Sequence, residues 1–129
     1  MTNKEEFITV LKVEPMKVPE IVQLKNELHA LQEAVSIGAP ERGLIEPIGI
    51  EDDVDLLLNE EGKLIGLAPN RRFGDDILCG VFYVVGQKDG DFCSLPESKM
   101  EKYKTIFATP QIISPDEVDN TIRMTFFSF

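Results

Sequence analysis

The sequence predicts a single α+β domain, a mainly antiparallel mixed sheet with two helices packed on it. Three observations point there. Short β-rich runs are separated by turn residues at hairpin spacing, and two amphipathic stretches carry helix start and stop signals. One continuous apolar run, residues 77–86 (I-L-C-G-V-F-Y-V-V-G), is too hydrophobic to be half exposed and reads as the central strand. With 129 residues the chain has the size of one domain and enough material for a real core, so residues 1–129 are read as one unit.

Residues 7–13 (F-I-T-V-L-K-V) and 18–24 (V-P-E-I-V-Q-L) form the first hairpin candidate, with Pro19 confined to an edge or a strand start. Asn26 is placed to cap a helix over residues 26–37, with Leu28, Leu31 and Val35 on one stripe and Gly38 as its stop. His29 lies in that helix beside no nucleophile in a catalytic spacing and is read as a surface residue. Residues 41–50, broken by Gly43 and Pro47, form a short strand or an irregular crossing. A second hairpin is expected from residues 53–59 (D-V-D-L-L-L-N) and 63–67 (K-L-I-G-L), turning at Glu60, Glu61 and Gly62. Ser94 and Glu97 have capping-box spacing, which starts a helix over residues 95–107 whose inner face would hold Met100, Tyr103, Ile106 and Phe107. The tail, residues 120–129 (N-T-I-R-M-T-F-F-S-F), alternates at Ile122, Met124 and Phe126 and reads as a final strand. An exposed strand of that kind would aggregate, so it should pair inside the sheet or with another subunit, and Phe126, Phe127 and Phe129 are expected at the interface of a homo-oligomer or in a strand exchanged between its subunits.

Composition narrows the function classes. Thirteen basic residues against 23 acidic ones give a formal charge of −10, which argues against direct binding to nucleic acid phosphates and leaves open binding to a basic protein surface. Cys79 and Cys93 show no metal-type spacing and are expected to be reduced thiols, so neither a metal nor another cofactor is expected. The acidic run Glu51, Asp52, Asp53 and Asp55 lacks the glycine and distal glutamate of a calcium loop and reads as a solvated strand entry. With no signal-peptide core and no membrane-length apolar segment, a cytosolic protein is expected. An enzyme would have to use Asp75 with Asp76, or Asp89 with Asp91, and both pairs are more simply turn residues. No catalytic residue is assigned.

The stretch that stands out is residues 59–73 (N-E-E-G-K-L-I-G-L-A-P-N-R-R-F). Pro69 stiffens the exit from the expected hairpin and presents Asn70, Arg71, Arg72 and Phe73 as a group. Two readings stand side by side. Either the arginines are solvated or paired with Asp75 and Asp76, or they grip a phosphate or carboxylate through bidentate hydrogen bonds.

The order of these features resembles a small family of phage, prophage and conjugative-element proteins classed as a domain of unknown function. The resemblance rests on residues 59–71 and 91–95 (D-F-C-S-L), with L-Q-E-A-V and E-K-Y-K in support, and covers about residues 7–107. It implies a cytosolic α+β domain encoded by mobile elements, whose small acidic proteins often counteract host defence, and it supplies no catalytic residue. Ala68, where the family more often has proline, and the aromatic tail depart from the pattern. The favoured expectation is a non-enzymatic protein that sequesters a small anionic, nucleotide-derived signal through Asn70, Arg71, Arg72 and Phe73. The alternative is an acidic inhibitor, of DNA-mimic or anti-restriction type, that binds a basic host defence enzyme.

Overall fold

The computed structural model describes residues 5–127, with side chains as far as residue 122. Eight strands and three helices follow in the order β1 (Phe7–Val13), β2 (Glu20–Lys25), α1 (Leu28–Ala34), β3 (Ile45–Glu51), β4 (Val54–Asn59), β5 (Pro69–Phe73), β6 (Asp76–Cys79), β7 (Phe82–Lys88), β8 (Asp91–Cys93), α2 (Glu97–Ile106) and α3 (Pro115–Phe127). The main sheet runs β2-β1-β7-β4-β3 with β8 added to β7, and every pairing in it is antiparallel. β5 and β6 form a separate ribbon. The α+β architecture expected from the sequence is present.

Alternation along the strands divides the core into two layers. On one face Leu11, Val13, Val54, Leu56, Leu58, Phe82 and Val84 pack with Met100 and Tyr103 of α2 and with Phe107, which follows its last residue. On the other, Ile8, Val10, Leu57, Val81, Tyr83 and Val85 pack with Leu31 of α1 and with Val35, which follows its last residue. The central strand is therefore β7, buried on both faces and paired along both edges, as its unbroken apolar character requires. The apolar run is nevertheless two strands. Gly80, at φ +82°, turns the chain between β6 and β7, and a Cβ there would lie 2.7 Å from Leu67 Cδ1.

Several local expectations are corrected by tertiary contacts. Residues 63–67 are a series of turns held by Ile65 N to Glu61 O at 2.9 Å and Leu67 N to Gly62 O at 2.9 Å, so β4 pairs with β3 and β7 and not with them. Asn26 does not cap α1. It is buried, its amide donates to Phe92 O at 3.0 Å, and the helix starts at Leu28, which is exposed. Ser94 does not cap α2 either, because its hydroxyl accepts from Thr9 N at 2.9 Å and bonds Glu5 at 3.0 Å, tying β1 to the segment before the helix. Ile106 faces solvent while Phe107, one position on, fills the core.

The predicted strand over residues 120–129 is helical as far as Phe127. The helix start was legible: Ser114, Pro115 and Glu117 have capping spacing with proline in the first turn, and Glu117 N donates to Ser114 Oγ at 3.2 Å. Phe126 and Phe127 belong to this helix. Phe129 lies outside the described residues, and their expected interface role stays an expectation.

Candidate functional site

Asn70 and Arg71 form no open loop. They stand on β5, whose register shifts between Pro69 and Arg71, and both side chains are fully buried at 0% exposure. The Asn70 amide donates to Val13 O at 2.8 Å and to Gly80 O at 2.9 Å, linking the end of β1 to the bend before β7. Its Oδ1 accepts from Arg71 Nη1 at 2.8 Å. The guanidinium places all five N–H groups on oxygen: Nε and Nη2 on Phe107 O at 3.2 and 3.0 Å, Nη2 also on Lys17 O at 2.7 Å, and Nη1 on Asn70 O at 3.3 Å as well as Oδ1. These partners are neutral.

Burial lowers the Arg71 pKa from its ordinary value, yet a guanidinium in a protein stays charged, and its placement at the final carbonyls of α2 suits the helix dipole. Lys17 O belongs to a turn in which Lys17 N donates to Glu14 O at 3.2 Å and Met16 takes φ +63°, a left-handed conformation usually given to glycine. Arg71 therefore clamps three distant segments: the residue 14–17 turn, β5 and the end of α2. This overturns its expected place at an anion site, because a side chain with no surface and no free donor cannot meet a ligand.

Arg72 is exposed, and its guanidinium makes a bidentate pair with Glu117 of α3, Nε to Oε2 at 2.6 Å and Nη2 to Oε1 at 2.8 Å. The pair raises the Arg72 pKa and lowers that of Glu117. Arg72 N also donates to Gln111 Oε1 at 2.8 Å, so this residue fastens the 111–117 segment to the ribbon. Phe73 leans into the core, its ring 6.2 Å from that of Phe107. Neither arginine pairs with Asp75 or Asp76: Asp76 instead receives Lys63. The four residues expected to form one ligand site are thus divided between a buried clamp, a surface ion pair and a core contact.

The feature that does face solvent is the chain just before them. Residues 60–66 form a ridge between two clefts of about 220 and 230 Å³. The first is walled by Ile48 and Leu58 of the sheet, Leu78 of β6 and Ile122 of α3, the second by residues 40–44. Leu64 is 63% and Ile65 40% exposed, and Leu44, which shares the second cleft with Ile65, is 60% exposed. The charged residues around them are Glu41, Glu46, Glu60 and Glu61, with Arg42 in the second cleft and the Lys63–Asp76 pair in the first.

The base of the ridge is fixed. Asn59 Oδ1 accepts from Glu61 N at 2.9 Å, the Asn59 amide donates to Ser36 Oγ at 3.2 Å, Gly43 N reaches the same hydroxyl at 2.9 Å, and Lys63 pairs with Asp76. Gly62 is packed so closely that a Cβ would lie 2.9 Å from Cys79 O. Reading K-L-I-G-L as a strand missed this surface. The signal was Gly62 and Gly66 bracketing Leu64 and Ile65, a spacing that fits consecutive tight turns; Gly66 has φ +78°.

The acidic run that begins at the last residue of β3 is structural at its first member. Glu51 accepts from Lys99, Lys102 (3.0 Å) and Tyr103, holding α2 to the sheet edge, and these donors lower its pKa to about 2. Asp89 and Asp91 flank Gly90 in the β7–β8 turn, where Asp89 takes φ +53°. Burial raises the pKa of both thiols, Cys79 and Cys93, and they are unpaired. Among the described residues no three His, Cys, Asp or Glu side chains gather as a metal ion would need, and no helix is long and apolar enough to cross a membrane.

Residues 8–108 match the family model described as a domain of unknown function (DUF3846). No curated protein and no solved structure matches the chain.

Proposed function

We propose that this chain, which belongs to the DUF3846 family, is a non-enzymatic binding protein that docks through the residue 60–66 ridge onto a basic partner protein. The observation that carries this reading is Leu64 and Ile65 standing exposed on a crest whose base is hydrogen-bonded in place. Adjacent apolar side chains held in water by a fixed scaffold suit an interface anchor, because little ordering entropy remains to be lost on binding. The surrounding carboxylates and the net charge of −10 would steer a basic surface toward them and reject acidic ones. Given the resemblance to proteins of mobile elements, the partner class is a host defence enzyme in the cytosol.

Sequestration of an anionic, nucleotide-derived signal receives less support. It relied on Arg71, which is buried, and on Arg72, which Glu117 already occupies. Mimicry of DNA calls for one long acidic face. Here Asp52, Asp53, Asp89 and Asp91 gather where β4 begins and β7 ends, and the ridge carboxylates lie at the other end of β4. A local docking surface fits this division better.

The test is site-specific photo-crosslinking in the producing cell, with the reactive residue at position 64 and a control at Ile112, which is 84% exposed outside the ridge. One basic protein should be captured from position 64 and not from 112, and its binding should weaken with salt and with Glu60→Lys/Glu61→Lys. Equal capture from both positions, or binding that survives Leu64→Ser/Ile65→Ser in a normally folded protein, would refute the reading.

A further inference from the structure

We propose that β2 is a dimerisation edge, which pairs antiparallel with β2 of a second copy about a two-fold axis through Gln23. The main sheet ends in two edges that differ. β3 carries Pro47 and Gly49 and a register shift between Gly49 and Glu51, features that discourage further pairing. β2 pairs with β1 in unbroken register over six residues, from Glu20↔Lys12 to Lys25↔Phe7, and among the described residues nothing pairs with its outer side.

The phase of its hydrogen bonds selects the register. Asn26 N donates to Glu6 O at 2.8 Å, so Asn26, Leu24, Val22 and Glu20 turn their main chains toward β1. Ile21, Gln23 and Lys25 then turn theirs outward, although Lys25 O already accepts from Glu27 N at 2.9 Å. A two-fold axis perpendicular to the sheet preserves its faces, so each residue must meet one of the same parity. Centring the axis on Gln23 pairs Gln23 with itself and Ile21 with Lys25 of the second copy, which uses every outward-facing residue. Centring it on Val22 would bring Lys25 opposite Pro19, which has no N–H to give.

Side chains agree with this choice. On the α1 face Val22 meets Leu24 of the second copy, and both already border the Tyr83 and Leu31 core, so pairing makes that apolar layer continuous across the axis. On the α2 face Lys25 lies along the exposed Ile21, and the residue that meets its own image is an uncharged amide. The ridge at the far end of β4 stays free, which makes the dimer bivalent toward its partner. This inference does not depend on what the ridge binds.

Sedimentation of the whole chain over a range of concentrations tests it. The wild type should show a reversible monomer–dimer equilibrium. Gln23→Lys and Gln23→Glu should each weaken it at least tenfold by placing like charges on the axis, and an equimolar mixture of the two should restore it. Gln23→Pro should weaken it as much while the protein melts as a folded domain, since its N–H is not used by β1. A wild type monomeric at every concentration, a dimer indifferent to Gln23→Lys, or a loss that mixing fails to rescue would each overturn the proposal.

Discussion

Replacing Arg71 by methionine keeps much of the side chain's length and removes its donors. Four oxygens, Lys17 O, Phe107 O, Asn70 O and Asn70 Oδ1, lose a guanidinium partner in a site with no solvent exposure. Each buried polar group left unpaired costs about 1–3 kcal/mol. Allowing that the cation's desolvation cost also vanishes, the net loss is about 4 kcal/mol. That is a large share of the 5–15 kcal/mol typical of a domain. Arg71→Lys, with at most three donors for the sites of five, should lose about 2 kcal/mol. Urea unfolding followed by circular dichroism measures both as shifts in midpoint at unchanged slope. If Arg71→Met stays within about 1 kcal/mol of wild type, the range of an ordinary surface substitution, the clamp reading fails.

Three further outcomes are expected. Gly86→Ala places a Cβ against the Ser94 backbone oxygen and 2.9 Å from Cys93 Sγ, so thermal melts should show a loss of about 1–3 kcal/mol or more; a neutral result would mean β8 is not packed on β7 as described. Glu51 has its pKa lowered from 4.5 to about 2, so the stability its charge contributes is complete above pH 4.5 and is lost as pH falls through 2. The melting temperature should accordingly fall more steeply between pH 4.5 and 2 in wild type than in Glu51→Gln, and parallel curves would contradict the role of Glu51 in holding α2 to the sheet. Arg72→Ala should speed amide exchange over residues 115–122 while leaving the global melt nearly unchanged, because it unties α3 and touches no core contact.

Patterns carried by neighbouring residues were legible without coordinates. The run before Gly86, the β1–β2 hairpin and the second amphipathic helix announce themselves by period and by turn residues, and burial enforces those patterns wherever the segment ends up. The reach of side chains between distant segments was not legible. Nothing local says that Asn26 bonds Phe92, that Ser94 serves β1 instead of capping its own helix, or that three of the five donors on Arg71 meet carbonyls 36 and 54 positions away. In sequence an arginine after a proline in an acidic chain looks like an exposed ligand group, because charge is dear to bury. Tertiary structure reversed that reading by surrounding the charge with enough oxygens to hold it. The same packing left Leu64 and Ile65 outside, since turns closed at Gly62 and Gly66 carry them away from the sheet that a strand would have joined.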